Sequence, residues 1–122
     1  MQAAGVHHVS LNVSDVASAK AFYVDVLGLT ERTDRPDFGF GGAWLNVGNQ
    51  QIHLIEAPVP EANGQHVALQ VEDLDAVIAE LRERGIKISR AVVVGTGLQS
   101  FLHDPCGNMV ELNQPGGALT RT

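Results

Sequence analysis

The chain of 122 residues holds a single cysteine, Cys106, so no disulfide can close within it. Lys and Arg number only eight against 14 Asp and Glu, a formal net charge of −6, and nowhere do they gather into a stripe that would meet phosphates. Nucleic acid and anionic membranes are therefore not expected as partners. No apolar run approaches the ~20 residues of a membrane span. No signal peptide precedes the first predicted strand, which makes the cytoplasm the expected location. There is no glycine-rich phosphate loop before a helix, no serine in a nucleophile elbow and no Cys-x-x-Cys pair. Aromatic residues are scarce, with one Trp and one Tyr, which leaves the five histidines as the compositional oddity.

What is present is an ordinary globular composition, 44% hydrophobic and 18% charged, at a length that suits one domain over residues 1–122. Thirteen glycines imply many turns and short strands. Residues 6–13 alternate, with His7, Val9, Leu11 and Val13 on the expected core face and His8, Ser10 and Asn12 on the other. Ser14-Asp15 supplies a helix cap, and Val16, Ala19, Phe22, Tyr23, Val26 and Leu27 recur at helical spacing up to Gly28. A short strand is expected over 29–33. A loop over 35–42 then interleaves Gly39, Gly41 and Gly42 with Phe38 and Phe40. Residues 43–47 and 51–56 form a predicted hairpin, and the proline-bearing stretch 57–65 reads as a linker.

Beyond the linker the pattern returns. His66-Val67-Ala68-Leu69-Gln70-Val71-Glu72-Asp73-Leu74 echoes His8 to Val16 at an offset of 58 residues. The same offset carries His53 onto Glu111, with Ile52 matching Val110 and Leu54 matching Leu112. Asp73 caps a second helix with Leu74, Val77, Ile78 and Leu81 as its stripe, ending at Gly85. Strands are expected at 86–89, running on toward 94, at 98–103 and at 109–113. The tail, 115–122, is expected to fray. A repeat of this length means one β-α-β-β-β unit used twice, as module one (about 5–57) and module two (about 65–114).

Four residues stand at repeat-equivalent places and share the non-core parity of their strands: His8, His53, His66 and Glu111. Three imidazoles and one carboxylate suit a divalent transition ion (Zn, Ni, Co, Mn or Fe) better than Mg or Ca, which prefer oxygen. A lone strand histidine is more often a satisfied or solvated side chain, but four at matching offset and parity point to a metal site. His7 on the core face and His103 are expected to be structural or solvated. Cys106 has no basic neighbour in sequence to activate it. Trp44, Asn46, Ser10, Asn12 and Gln70 share the concave face by parity, and Phe101 joins them as a candidate pocket residue. Asp104 and Asn108 read as turn formers.

The stretches HHVSLNVSD at 7–15, FYVDVLGL at 22–29, QIHLIE at 51–56, HVALQVEDLD at 66–75 and DPCGNMVEL at 104–112 resemble the vicinal oxygen chelate superfamily, which includes glyoxalase I, bleomycin-resistance proteins and extradiol dioxygenases. The resemblance runs from Val6 to Gln114. It implies an α+β fold in which two β-α-β-β-β modules form a curled mixed sheet around a metal cup, usually in a homodimer. It also implies that His8, His53, His66 and Glu111 are metal ligands. Glyoxalase I carries a carboxylate at the place of His53, so here Glu111 alone would both bind metal and move a proton. The expected activity is a metal-dependent lyase or isomerase reaction on a small oxygenated metabolite through enediolate chemistry, with Trp44, Asn46, Asn12 and Phe101 near the substrate. The alternatives are an Fe(II) extradiol-type dioxygenase using His8, His66 and Glu111, and a non-enzymatic antibiotic-binding protein in which Trp44, Phe38 and Phe40 grip the drug.

Overall fold

The alternating stretch at the start becomes β1 (His8–Val13), which pairs in parallel with β4 (Gln50–Glu56), although 43 positions separate the matched partners Ser10 and His53. The computed structural model describes residues 1–120. They fall into two compact units, the first made of residues 1–61 with 104–108 and the second of the remainder.

In the first unit, Asp15 caps α1 (Val16–Ala21) by accepting from the Ser18 amide at 3.2 Å. After Ala21 the chain widens into a π-helical turn over Phe22–Val26, where a continuous α-helix was expected. The wider turn resets the angular phase, so that adjacent Phe22 and Tyr23 are both buried. Then follow β2 (Thr30–Glu31), β3 (Gly42–Val47) and β4, in the sheet order β1-β4-β3-β2. The β3–β4 hairpin sets Trp44 opposite His53. Val13, Ala19, Tyr23, Ala43, Leu45, Ile52 and Leu54 form the core of this unit. Gly42 belongs to it for steric reasons, because a Cβ there would collide with the Leu54 carbonyl and the Arg35 guanidinium.

The second unit repeats the plan with β5 (Val67–Gln70), α2 (Leu74–Glu83), β6 (Val92–Val94), β7 (Gly97–His103) and β8 (Met109–Gln114), in the order β5-β8-β7-β6. Asp73 caps α2 through the Ala76 amide at 3.1 Å, and the helix buries Leu74, Ile78 and Leu81. The repeat extends to register: Ser10 faces His53 in one unit, and Ala68 faces Glu111 in the other.

Three expectations need correction. Residues 86–89 are not a strand; the Ser89 amide donates to the Phe101 carbonyl at 2.9 Å and the Ser89 hydroxyl accepts from the Phe101 amide at 2.8 Å. A side chain thus takes the place of a strand partner, and only Val92–Val94 pair, as an exposed edge. Residues 117–120 do not fray but form α3 (Gly117–Thr120), where Gly117 is buried and a Cβ would press on Leu98 at 2.9 Å. The remainder of the expected frayed tail, residues 121–122, lies outside the described residues. His7 is exposed rather than on a core face, because it precedes β1, an edge strand.

The turn between β7 and β8 belongs to the first unit, and Asp104 is its anchor. This carboxylate is 4% exposed. It accepts from the Cys106 and Asn108 amides, from Asn108 Nδ2 and, at 2.8 Å, from the Tyr23 hydroxyl. Asn108 Nδ2 also reaches the Asn12 carbonyl at 2.9 Å. Burial first, and then the Asp104 carboxylate, push the ionisation of Tyr23 far above its ordinary range, so the phenol stays a donor. Removing a donor from a buried carboxylate costs about 1.5–3 kcal/mol. Tyr23→Phe is expected to lower stability by about that amount in urea unfolding, and Asp104→Ala by more, because four donors then lose their acceptor.

Candidate functional site

His8 and His53 lie on one face of the parallel β1–β4 pair, and their rings stack at 3.9 Å with planes 13° apart. Trp44, across the hairpin, stacks on His53 at 4.5 Å and 12°. The aromatic run continues to Phe38, 6.1 Å from Trp44, and to Phe40, 5.5 Å from Phe38. Arg35 lies over both phenyl rings, 5.1 and 5.7 Å from their centroids. These residues line a cavity of about 410 Å³ in the first unit, a size that suits a small organic molecule. His53 Nε2–H donates to Gln51 Oε1 at 2.8 Å. Burial, and then the neighbouring His8, His7, Arg32 and Arg35, hold its proton affinity below the usual imidazole value. His7 Nδ1 lies 2.8 Å from His8 Nδ1, so one of those rings donates to the other.

In the second unit, His66 directly precedes β5 and Glu111 lies on β8. His66 Nδ1 donates to the Gly64 carbonyl at 2.8 Å, while Nε2 faces Glu111 Oε1 at 3.0 Å. Asn113 Nδ2 donates to Glu111 Oε2 at 2.8 Å, and Phe101 meets the His66 ring edge-on at 5.5 Å. The Gly64 carbonyl first, and then Glu111, raise the proton affinity of His66 above the imidazole norm.

The second pair fits a cation by its donor geometry. Two ligand atoms each about 2.1 Å from one ion, at right angles, lie roughly 3 Å apart, the separation of His66 Nε2 and Glu111 Oε1. A carbonyl at Nδ1 that fixes the tautomer, and an amide that orients the carboxylate, are the outer contacts such ligands need. The first pair fits by donor type, although one nitrogen of each ring bonds to another side chain, His8 Nδ1 to His7 and His53 Nε2 to Gln51. Among the described residues no three His, Cys, Asp or Glu side chains cluster as a metal site.

Of the candidate substrate residues, Trp44 lines the first-unit cavity and Phe101 packs on His66. Asn46 instead accepts from Arg32 Nη1 at 3.0 Å, and Asn12 donates to the Pro58 carbonyl at 3.0 Å. Gln51, Asn113 and Arg35 were not singled out from sequence. Gln51 and Asn113 each sit two residues from His53 or Glu111 on the same strand face, a signal that parity already contained. Arg35 is the cation beside the aromatic loop.

A doubled β-α-β-β-β architecture with a histidine-rich cavity in one unit and a His–Glu pair in the other defines a paired-module protein. Residues 5–112 match the model of the Glyoxalase/Bleomycin resistance protein/Dioxygenase superfamily, and the chain belongs to that family. Glyoxylase I 4 of Arabidopsis thaliana is 34% identical over 119 residues, covering 88% of this chain and 68% of that protein. A glyoxalase-family crystal structure from Bacillus anthracis superposes with a TM-score of 0.84 at 26% identity, covering 94% of this chain and 98% of the other. TnmS3, an antibiotic binding protein from Streptomyces sp. CB03234, superposes with a TM-score of 0.77 at 28% identity, with the same coverages of 94% and 98%.

A raised folded-state value means that the His66 pair stabilises the fold fully below the ordinary imidazole range near 6.5 and loses that contribution as pH rises through the raised value. For His53 the sign is opposite: its burial costs stability as pH falls below the ordinary range. NMR titration of the metal-free protein is expected to place the His66 midpoint above 6.5 and the His53 midpoint below it. Glu111→Gln is expected to bring the His66 midpoint down.

Proposed function

We propose that the protein is a metal-dependent lyase or isomerase of the glyoxalase type that moves a proton at a carbon beside a carbonyl in a small oxygenated metabolite. The observation that carries this reading is the His66–Glu111 pair, with ligand-like spacing and both groups oriented by outer contacts. His8, His53, His66 and Glu111 are the proposed ligands of one divalent transition ion, in a homodimeric, cytoplasmic protein. When bound, such an ion supplies Lewis-acid polarisation of two substrate oxygens.

The chain's own residues do the rest. The Glu111 carboxylate would take the proton from carbon and return it to the neighbouring position, with Asn113 orienting it through Oε2. His66 gives up its Nε2 proton before it can serve as a ligand, so ion affinity rises with pH. With His53 where a second carboxylate would stand, removal and return both fall to Glu111. The apolar cavity wall around Trp44 offers the substrate flat aromatic contacts.

Elemental analysis of the purified protein is expected to find Ni, Zn, Co or Mn at a fixed ratio to chain. His66→Ala and His53→Ala should each weaken metal binding by more than about tenfold, since each removes a ligand. Glu111→Gln should slow deuterium exchange into α-hydroxycarbonyl and hemithioacetal substrates by about 10²–10⁴-fold. Metal binding that is unchanged in His66→Ala would overturn the reading. Iron with oxygen uptake on catechols would instead assign a dioxygenase.

A second reading, non-enzymatic antibiotic binding, is favoured by one observation, the aromatic cavity of Phe38, Phe40 and Trp44, and by the likeness to an antibiotic binding protein. Drug binding indifferent to chelator, in a protein that purifies without stoichiometric metal, would support it.

A further inference from the structure

The first-unit cavity carries a charge that the proposed proton transfer does not use. Arg35 takes part in none of the ion pairs found among the described residues, which join Lys20 to Glu31, Arg32 to Asp34 and His66 to Glu111. Its near neighbour Arg32 is neutralised by a two-point contact with Asp34, at 2.9 and 2.7 Å. Asp37, two residues beyond Arg35, gives its carboxylate to the Gly39 amide instead. Among the described residues Arg35 donates to the Phe40 carbonyl, at 3.0 Å, and its guanidinium faces phenyl rings. In a chain of net charge −6, an arginine without a carboxylate, set in an aromatic cavity, is a place kept for an anion.

The walls add a shape. Trp44, His53 and His8 present nearly parallel planes, and Phe38 and Phe40 are about half exposed beside them. Flat apolar faces of this kind favour a flat ring over a saturated chain of equal volume, because offset stacking adds to area burial. The Arg35 guanidinium disfavours an organic cation beside the rings. We propose that this cavity binds a planar aromatic anion, one or two fused rings bearing a carboxylate or phenolate, with the ring against Phe38 and Trp44 and the charge on Arg35. This deepens the enzymatic reading and rests on it for the role of the cavity as substrate site, since His8 and His53 form one wall.

Trp44 is the only tryptophan in the chain, so its fluorescence reports this cavity directly. The metal-free protein, held in chelator, is titrated with 2-naphthoate, neutral 2-naphthamide and cyclohexanecarboxylate. Naphthoate is expected to quench Trp44 and to bind about tenfold or more tightly than either comparison ligand, roughly 1.4 kcal/mol. Arg35→Met, which keeps an apolar side chain over the rings, should bring naphthoate down to the affinity of naphthamide, and Phe38→Ala should weaken both aromatic ligands. Equal affinity for naphthoate and naphthamide, equal affinity for the saturated acid, or an Arg35→Met variant that binds naphthoate as the parent does would each overturn the proposal. Because chelator is present throughout, failure here is separate from failure of the metal reading, which the elemental analysis and the His66→Ala variant decide.

Discussion

Parallel pairing of the first and last strand in each unit is the constraint from which the candidate sites follow. A parallel pair cannot be closed by a tight turn and needs a long crossover, which each unit supplies as a helix and two further strands. The crossover is what makes residues 45 positions apart in sequence neighbours in space: His8 with His53, and His66 with Glu111. Because side chains alternate strictly across a strand, one register step would turn each of these side chains toward the other face. The helix caps at Asp15 and Asp73 and the apolar stripes above them hold that register.

Within the same scaffold the two pairs have opposite proton demands. His53 is buried between an indole and an imidazole with arginines nearby, which holds its proton affinity below the imidazole norm. His66 sits between a carbonyl and a carboxylate, which raise its proton affinity above that norm. One unit therefore offers an apolar, electropositive cavity suited to gripping a ligand, and the other an acid–base pair suited to exchanging a proton or taking a cation.

Asp104 shows where local reading stops. In sequence, Asp-Pro-Cys-Gly-Asn is a turn, and the turn is there, with Gly107 at φ 96°. What the turn chemistry does not reveal is that its aspartate is buried beneath Tyr23, 81 residues away, with all its acceptor capacity used. Residues 86–89 fail for a related reason. Their alternation favours a strand, but the Ser89 hydroxyl offers the Phe101 amide a bond that competes with a ladder. The tail gains its helical turn from packing of Gly117 against Leu98, a contact with no local signature.

The sequence by itself determined the repeat, most strand positions, both helix caps and the parity that groups His8, His53, His66 and Glu111 away from the apolar stripes, because these rest on periodicity and on interactions within a few residues. Only the tertiary structure decided what each of those side chains touches. That Asn12 and Asn46 are spent on Pro58 and Arg32, that Gln51 and Asn113 orient the candidate ligands, and that Arg35 lies over two phenyl rings all depend on which segments meet. Parity states the face of a strand, but the partner on that face comes from chain tens of residues distant, and its identity is set by packing.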